Sequence, residues 1–284
     1  MIRQSLLRLL LAAASIFLAV QLFRLVLIPG IEAVFHPSGF MTIAIRRSGI
    51  LAFALLGYWL HVRHVEKRPA IELKLRPAGI GLAAVAGMTM ISVTLIALFA
   101  AGVYEVVLFR GPRIELLGVA SVILVAAMLE ELVFRGVLFR ILEDALGTTW
   151  ALWLQAGIFA ALHLANAESS PSELATTLVS GTLIGALWTL LFVATRNLWI
   201  VAAHHAAWNF TILLAGVPLS GLLNWRSMAP IESRYDGPQW LTGGVFGPED
   251  SLITMVVVSL VVVALVVWTR RTGRYLPPPS LRAA

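Results

Sequence analysis

Three short polar clusters interrupt otherwise apolar stretches of this 284-residue chain. The first reads Met128-Leu129-Glu130-Glu131-Leu132-Val133-Phe134-Arg135, the second Phe159-Ala160-Ala161-Leu162-His163, and the third His204-His205-Ala206-Ala207-Trp208-Asn209. An ionisable side chain in the hydrocarbon of a bilayer costs several kcal/mol, so each must be paired, hydrated or engaged in chemistry. Glu131 and Arg135 lie four residues apart, on one helix face, and can form an ion pair that lowers the cost of burying both. Glu130 is turned about 100° from Glu131 around the helix and matches Arg135 poorly, which leaves its carboxylate available. His205 and Asn209 are also four apart and can face one cavity.

A carboxylate held near an imidazole can bind and deprotonate a water, making a nucleophile for an amide carbonyl. The oxyanion that follows needs hydrogen-bond donors, which a histidine and an asparagine amide supply. Peptide hydrolysis is the reaction that uses all four groups. Other uses stay open at this point. Glu130, His163 and His205 are also a possible zinc ligand set with a position left for water, and no HExxH motif decides for or against it. Buried carboxylates and histidines relay protons in transporters, and the same residues could serve structure alone in a non-catalytic membrane partner.

The elements that carry these residues are membrane spans. The chain is 59% hydrophobic and 13% charged, against roughly 25% charged in soluble proteins. Windows of about 20 apolar residues, the length needed to cross a bilayer, place about eight spans at 7–28, 42–61, 78–103, 116–139, 149–165, 175–194, 198–216 and 252–269. The expected fold is all-α, a polytopic membrane helix bundle forming one domain over 1–284. Its catalytic core spans 116–216, with an external loop at 217–251. Counted from the cytoplasmic ends at 1.5 Å per residue, Glu130, His163, His205 and Asn209 fall at depths of about 14, 21, 11 and 17 Å, within one layer.

Basic residues favour the cytoplasmic side of short loops. Arg3 and Arg8, then Arg63, Lys67, Arg68, Lys74 and Arg76, then Arg140, Arg196 and the Arg270, Arg271, Arg274 group all fall on one side by alternation. Both termini are therefore expected in the cytoplasm, and the 166–174 loop with Glu168 and Glu173 outside. Arg110 and Arg113 fall on the wrong side. Arg24, Arg46 and Arg47 read as snorkelling to an interface, and Trp150, Trp153, Trp188 and Trp199 as interface belts. Gly181 and Gly185 read as a helix contact. The net charge of +6 sits at the ends of apolar runs, where it meets lipid headgroups, so no nucleic-acid partner is expected. The absence of cysteine excludes thiolate chemistry. Only Lys67 and Lys74 accompany the arginines, a bias that points to a GC-rich prokaryote and its inner membrane.

The ordered set EExxxR, FxxxH and HxxxN, here Glu130-Glu131 with Arg135, Phe159 with His163, and His205 with Asn209, resembles the CAAX-protease and bacteriocin-processing family of intramembrane proteases, which includes the type II CAAX prenyl endopeptidases. The likeness covers residues 130 to 209. It implies an intramembrane endopeptidase in which Glu130 and His163 activate water and His205 and Asn209 stabilise the oxyanion, with Glu131 and Arg135 supporting the site. It implies a peptide or protein substrate with a membrane-associated segment. The family has been described both as metal-free and as metal-dependent. The metal-free, glutamate-type reading is preferred, with no cofactor; zinc on Glu130, His163 and His205 is the alternative. His204 lies outside the pattern.

Overall fold

The computed structural model describes residues 2–166, 170–222 and 224–281; Glu168, expected in an external loop, lies outside them. The chain is an all-α polytopic membrane bundle. Helix α1 (Ile2–Leu22) runs through a π-helical turn (Phe23–Leu27) into α2 (Ile28–Phe35), and α3 (Gly39–Leu60) and α4 (Pro77–Ala100) follow. A strand β1 (Tyr104–Phe109) precedes α5 (Glu115–Glu131), a second π-helical stretch (Leu132–Phe139) and α6 (Arg140–Leu146). Then come α7 (Thr148–His163), α8 (Pro171–Thr195), α9 (Leu198–Leu214), strand β2 (Ile231–Tyr235), the single turn α10 (Gln239–Thr242) and α11 (Leu252–Arg271).

Each of the eight expected spans is a helix. Among the described residues six continuous helical stretches are long and apolar enough to cross a membrane: Arg3–Phe35, Gly39–Val65, Pro77–Ala100, Glu115–Leu146, Pro171–Thr195 and Leu252–Arg271. The other two, α7 with 16 residues and α9 with 17, fall short of a full crossing. They are also the helices that carry His163 and His205. A short helix among long ones is surrounded by protein, and α9 is accordingly buried along most of its length, including His204, His205 and Trp208.

Small residues bring the helix backbones close. Gly181 and Gly185 of α8 lie against Ala160 and Ala156 of α7, the contact expected from their four-residue spacing. Gly87 of α4 lies directly against the backbone of His204 on α9. Arg47 does not simply reach an interface: its guanidinium donates to the Gly118 carbonyl and to Ser121 Oγ, each at 2.7 Å, tying α3 to α5. Arg46 pairs with Glu32 at 2.7 Å.

The 217–251 segment is structured over its described residues. Strand β2 pairs antiparallel with β1, with Tyr104 opposite Tyr235 and Glu105 opposite Arg234. Arg110, which broke the charge rule, bonds Glu232 and donates its backbone N–H to the Pro230 carbonyl at 2.8 Å. It is spent on this pairing, which explains why it does not follow the rule for lipid-facing bases. Gly247, at φ 84°, lets the chain pass against the Pro218 carbonyl, where any Cβ would collide.

Substituting Gly87→Ala would place a methyl group into the His204 backbone, an overpacking cost of about 1–3 kcal/mol. Gly81→Ala on the same helix meets no atom within 4 Å. Thermal melting in detergent is expected to show a clear loss for the first and none for the second.

Candidate active site

The site begins where α5 gives way to its π-helical continuation, directly after Glu131. Such widened turns recur at functional positions because they re-aim side chains. Arg135, fully buried, donates to Glu131 Oε1 at 3.0 Å, to the Gly185 carbonyl at 2.9 Å and to Thr189 Oγ1 at 3.3 Å. Its guanidinium also lies over the rings of Phe159, at 5.0 Å, and Trp188, at 5.7 Å. One cation thus ties α5 to α7 and α8.

Glu131 has a second partner. Its Oε1 lies 2.9 Å from His205 Nδ1, and since a carboxylate only accepts, Nδ1 carries the proton. The other ring nitrogen, Nε2, is 3.9 Å from Glu130 Oε2. The His205 ring stacks on Trp188 with centroids 3.6 Å apart and planes 22° apart. Trp188 is itself held by its indole N–H, which donates to His204 Nδ1 at 3.1 Å. Trp188 is therefore no interface anchor: it is 1% exposed and orients a site histidine. His163 is fixed from its own helix, with Nδ1 donating to the Phe159 carbonyl at 2.8 Å, so Nε2 is the nitrogen left for chemistry.

Glu130, His163, His205 and Asn209 line one cavity of about 100 Å³, together with Phe159, Ser180, Trp188 and Trp225. Glu131 and Arg135 lie behind its wall. A water needs about 10–15 Å³ of such space and two to four polar partners, so the cavity holds several. Two buried atoms on its lining, Glu130 Oε2 and Asn209 Oδ1, have no protein hydrogen-bond partner, which is where water is required. Among the described residues no three His, Asp or Glu side chains are grouped to hold a metal ion; as arranged, Glu130, His163 and His205 do not fit one.

Part of the wall comes from outside the expected core. Leu219, Ser220, Leu222, Phe246, Glu249 and Asp250 line the cavity. Glu249 accepts from Trp208 Nε1 at 3.1 Å and from Ser220 Oγ, and Asn166 Nδ2 donates to the Ser220 carbonyl at 2.9 Å. Asp250 accepts from Thr177 and Ser180 of α8. Adjacent acids just ahead of an apolar helix were the signal available in the sequence, but nothing in their spacing linked them to α8 and α9. Burial pushes the Asp250 carboxyl up to about 6, against the lowering effect of the Ser180 and Thr177 hydrogen bonds; Glu249 and Glu173 raise it further.

Residues 112–211 match the family model described as type II CAAX prenyl endopeptidase Rce1-like. This stretch, from the start of α5 to α9, is a domain of the family that the three motifs resemble. No curated protein and no solved structure matches the chain.

Two measurements check this geometry. Arg135→Ala strands the buried Glu131 carboxylate without its cation, a loss of about 3–5 kcal/mol that chemical denaturation in micelles should register. Asp250 holds its proton more tightly in the folded protein than in the unfolded chain. The folded state therefore binds the extra proton between pH 3.8 and about 6, and stability falls as pH rises through that window, by up to about 3 kcal/mol. Asp250→Asn should flatten this slope in melting curves recorded from pH 4 to pH 7.

Proposed function

We propose, from the Rce1-like domain at 112–211 and the cavity its helices enclose, that the protein is an intramembrane endopeptidase of the glutamate type. The observation that carries this reading is the meeting of Glu130, His163, His205 and Asn209, from three helices, on one cavity whose Glu130 and Asn209 oxygens lack protein partners. Water in that cavity accepts from or donates to Glu130 Oε2 and donates to His163 Nε2. As the water oxygen bonds the scissile carbonyl carbon, its proton passes to Glu130. The carbonyl oxygen becomes an oxyanion and accepts hydrogen bonds from the Asn209 amide and from His205 Nε2. For His205 to donate there it must carry a proton on both nitrogens, and the Glu131 carboxylate at 2.9 Å stabilises that cation. The C–N bond then breaks as Glu130 returns its proton to the leaving amine.

The substrate is a peptide or protein with a membrane-associated segment, cut near or within the bilayer. We place both termini on the cytoplasmic side, from the clustering of basic residues, and the membrane as a prokaryotic inner membrane, from the near replacement of lysine by arginine.

The test uses purified protein in bicelles with a membrane-anchored peptide. Glu130→Gln should lower kcat by about 10²–10⁴ with KM little changed, and Asn209→Ala should lower kcat by about 10²–10³. Equal turnover by Glu130→Gln and wild type would overturn the assignment.

A further inference from the structure

The cavity wall carries charge of one sign. Its described lining includes the carboxyl groups of Glu130, Glu249 and Asp250, two histidines, and no lysine or arginine. Residues 167–169 and 223 are Ala, Glu, Ser and Leu and add no base to the composition. The bases on neighbouring elements are committed elsewhere. Arg135 is fully buried on Glu131 and the Gly185 carbonyl. Arg226 donates to the carbonyls of Gly216 and Ser233, at 3.2 and 2.6 Å, and Arg234 pairs with Glu105.

The donors that hold Glu249 and Asp250 are the Trp208 indole and the hydroxyls of Ser220, Thr177 and Ser180. All are neutral, so the hydrogen bonds satisfy lone pairs without cancelling charge. In a site partly shielded from water, like charges repel more strongly than at a surface. A substrate carboxylate entering here meets acids from α5 and from the turn ahead of α11, and finds none of the basic side chains that such groups favour.

We infer that the cavity takes an internal stretch of polypeptide with neutral or cationic side chains and rejects a free C-terminal carboxylate close to the scissile bond. This rests on the endopeptidase reading above and narrows its substrate class. Specificity of this kind comes from repulsion as much as from attraction.

The experiment compares three peptides with one membrane anchor and one scissile bond, in bicelles at pH 8, above the Asp250 titration. The first ends three residues past the bond in a free acid. The second ends there in an amide, and the third is the amide with a lysine replacing a neutral residue past the bond. The amide is expected to show kcat/KM at least about tenfold above the acid, and the lysine peptide to equal or exceed the amide. Glu249→Gln and Asp250→Asn should each narrow the amide-to-acid ratio severalfold, with melting curves identifying any variant that fails to fold; the wild-type ratio and the remaining folded variant then decide.

Cleavage of the acid as fast as the amide by wild-type protein overturns the inference. So does a ratio unchanged in every folded variant. Cleavage of no peptide in a Glu130-dependent manner overturns the endopeptidase reading itself and the inference with it, a pattern distinct from fast cleavage of the acid.

Discussion

The buried contact among Arg135, Glu131 and His205 organises everything around it. A carboxylate and a guanidinium, both without solvent exposure, are sustainable in a bilayer protein only if every polar atom finds compensation. Arg135 obtains it from the Gly185 carbonyl and Thr189 on α8, Glu131 from His205 on α9. Satisfying one ion pair therefore locks three helices in register. It also sets the tautomer of His205, because the proton that Nδ1 gives to Glu131 leaves Nε2 turned toward Glu130. Structure and proposed chemistry share a single constraint here: the pair that α5 cannot afford to leave unpaired is the pair that aims the histidine.

Around this centre the short helices α7 and α9 are enclosed by longer ones, and glycines permit the necessary closeness. Gly185 allows α8 to approach α7 and leaves its carbonyl open to Arg135. Gly87 lets α4 press on α9 at His204, the residue that holds Trp188 against His205. The chain that positions the site thus extends from α4 through His204 and Trp188 to the imidazole.

Much of this was legible in the sequence because it depends on local spacing. Apolar runs marked the eight helices, and four-residue intervals marked the Glu131–Arg135 pair, the His205–Asn209 face and the Gly181–Gly185 contact. What was not legible depends on pairings distant in the chain. The β1–β2 ladder joins residues 104–109 to 231–235, and no periodicity in either segment announces the other. Trp188 read as an interface aromatic because a tryptophan in a span has the same composition whether it meets headgroups or an imidazole. Glu249 and Asp250 read as loop polarity, since their partners Trp208, Thr177 and Ser180 lie on other elements. His204 fell outside the motif because its part is played through Trp188 rather than toward the cavity.

The central claim is that Glu130 and His163 hold a common water in the cavity. An experimental structure at a resolution that orders solvent tests it most directly. The account predicts a water within about 3 Å of both Glu130 Oε2 and His163 Nε2, lost when Glu130 is replaced by alanine. A Glu130 carboxylate bonded directly to a protein cation, with no solvent between it and His163, would contradict it.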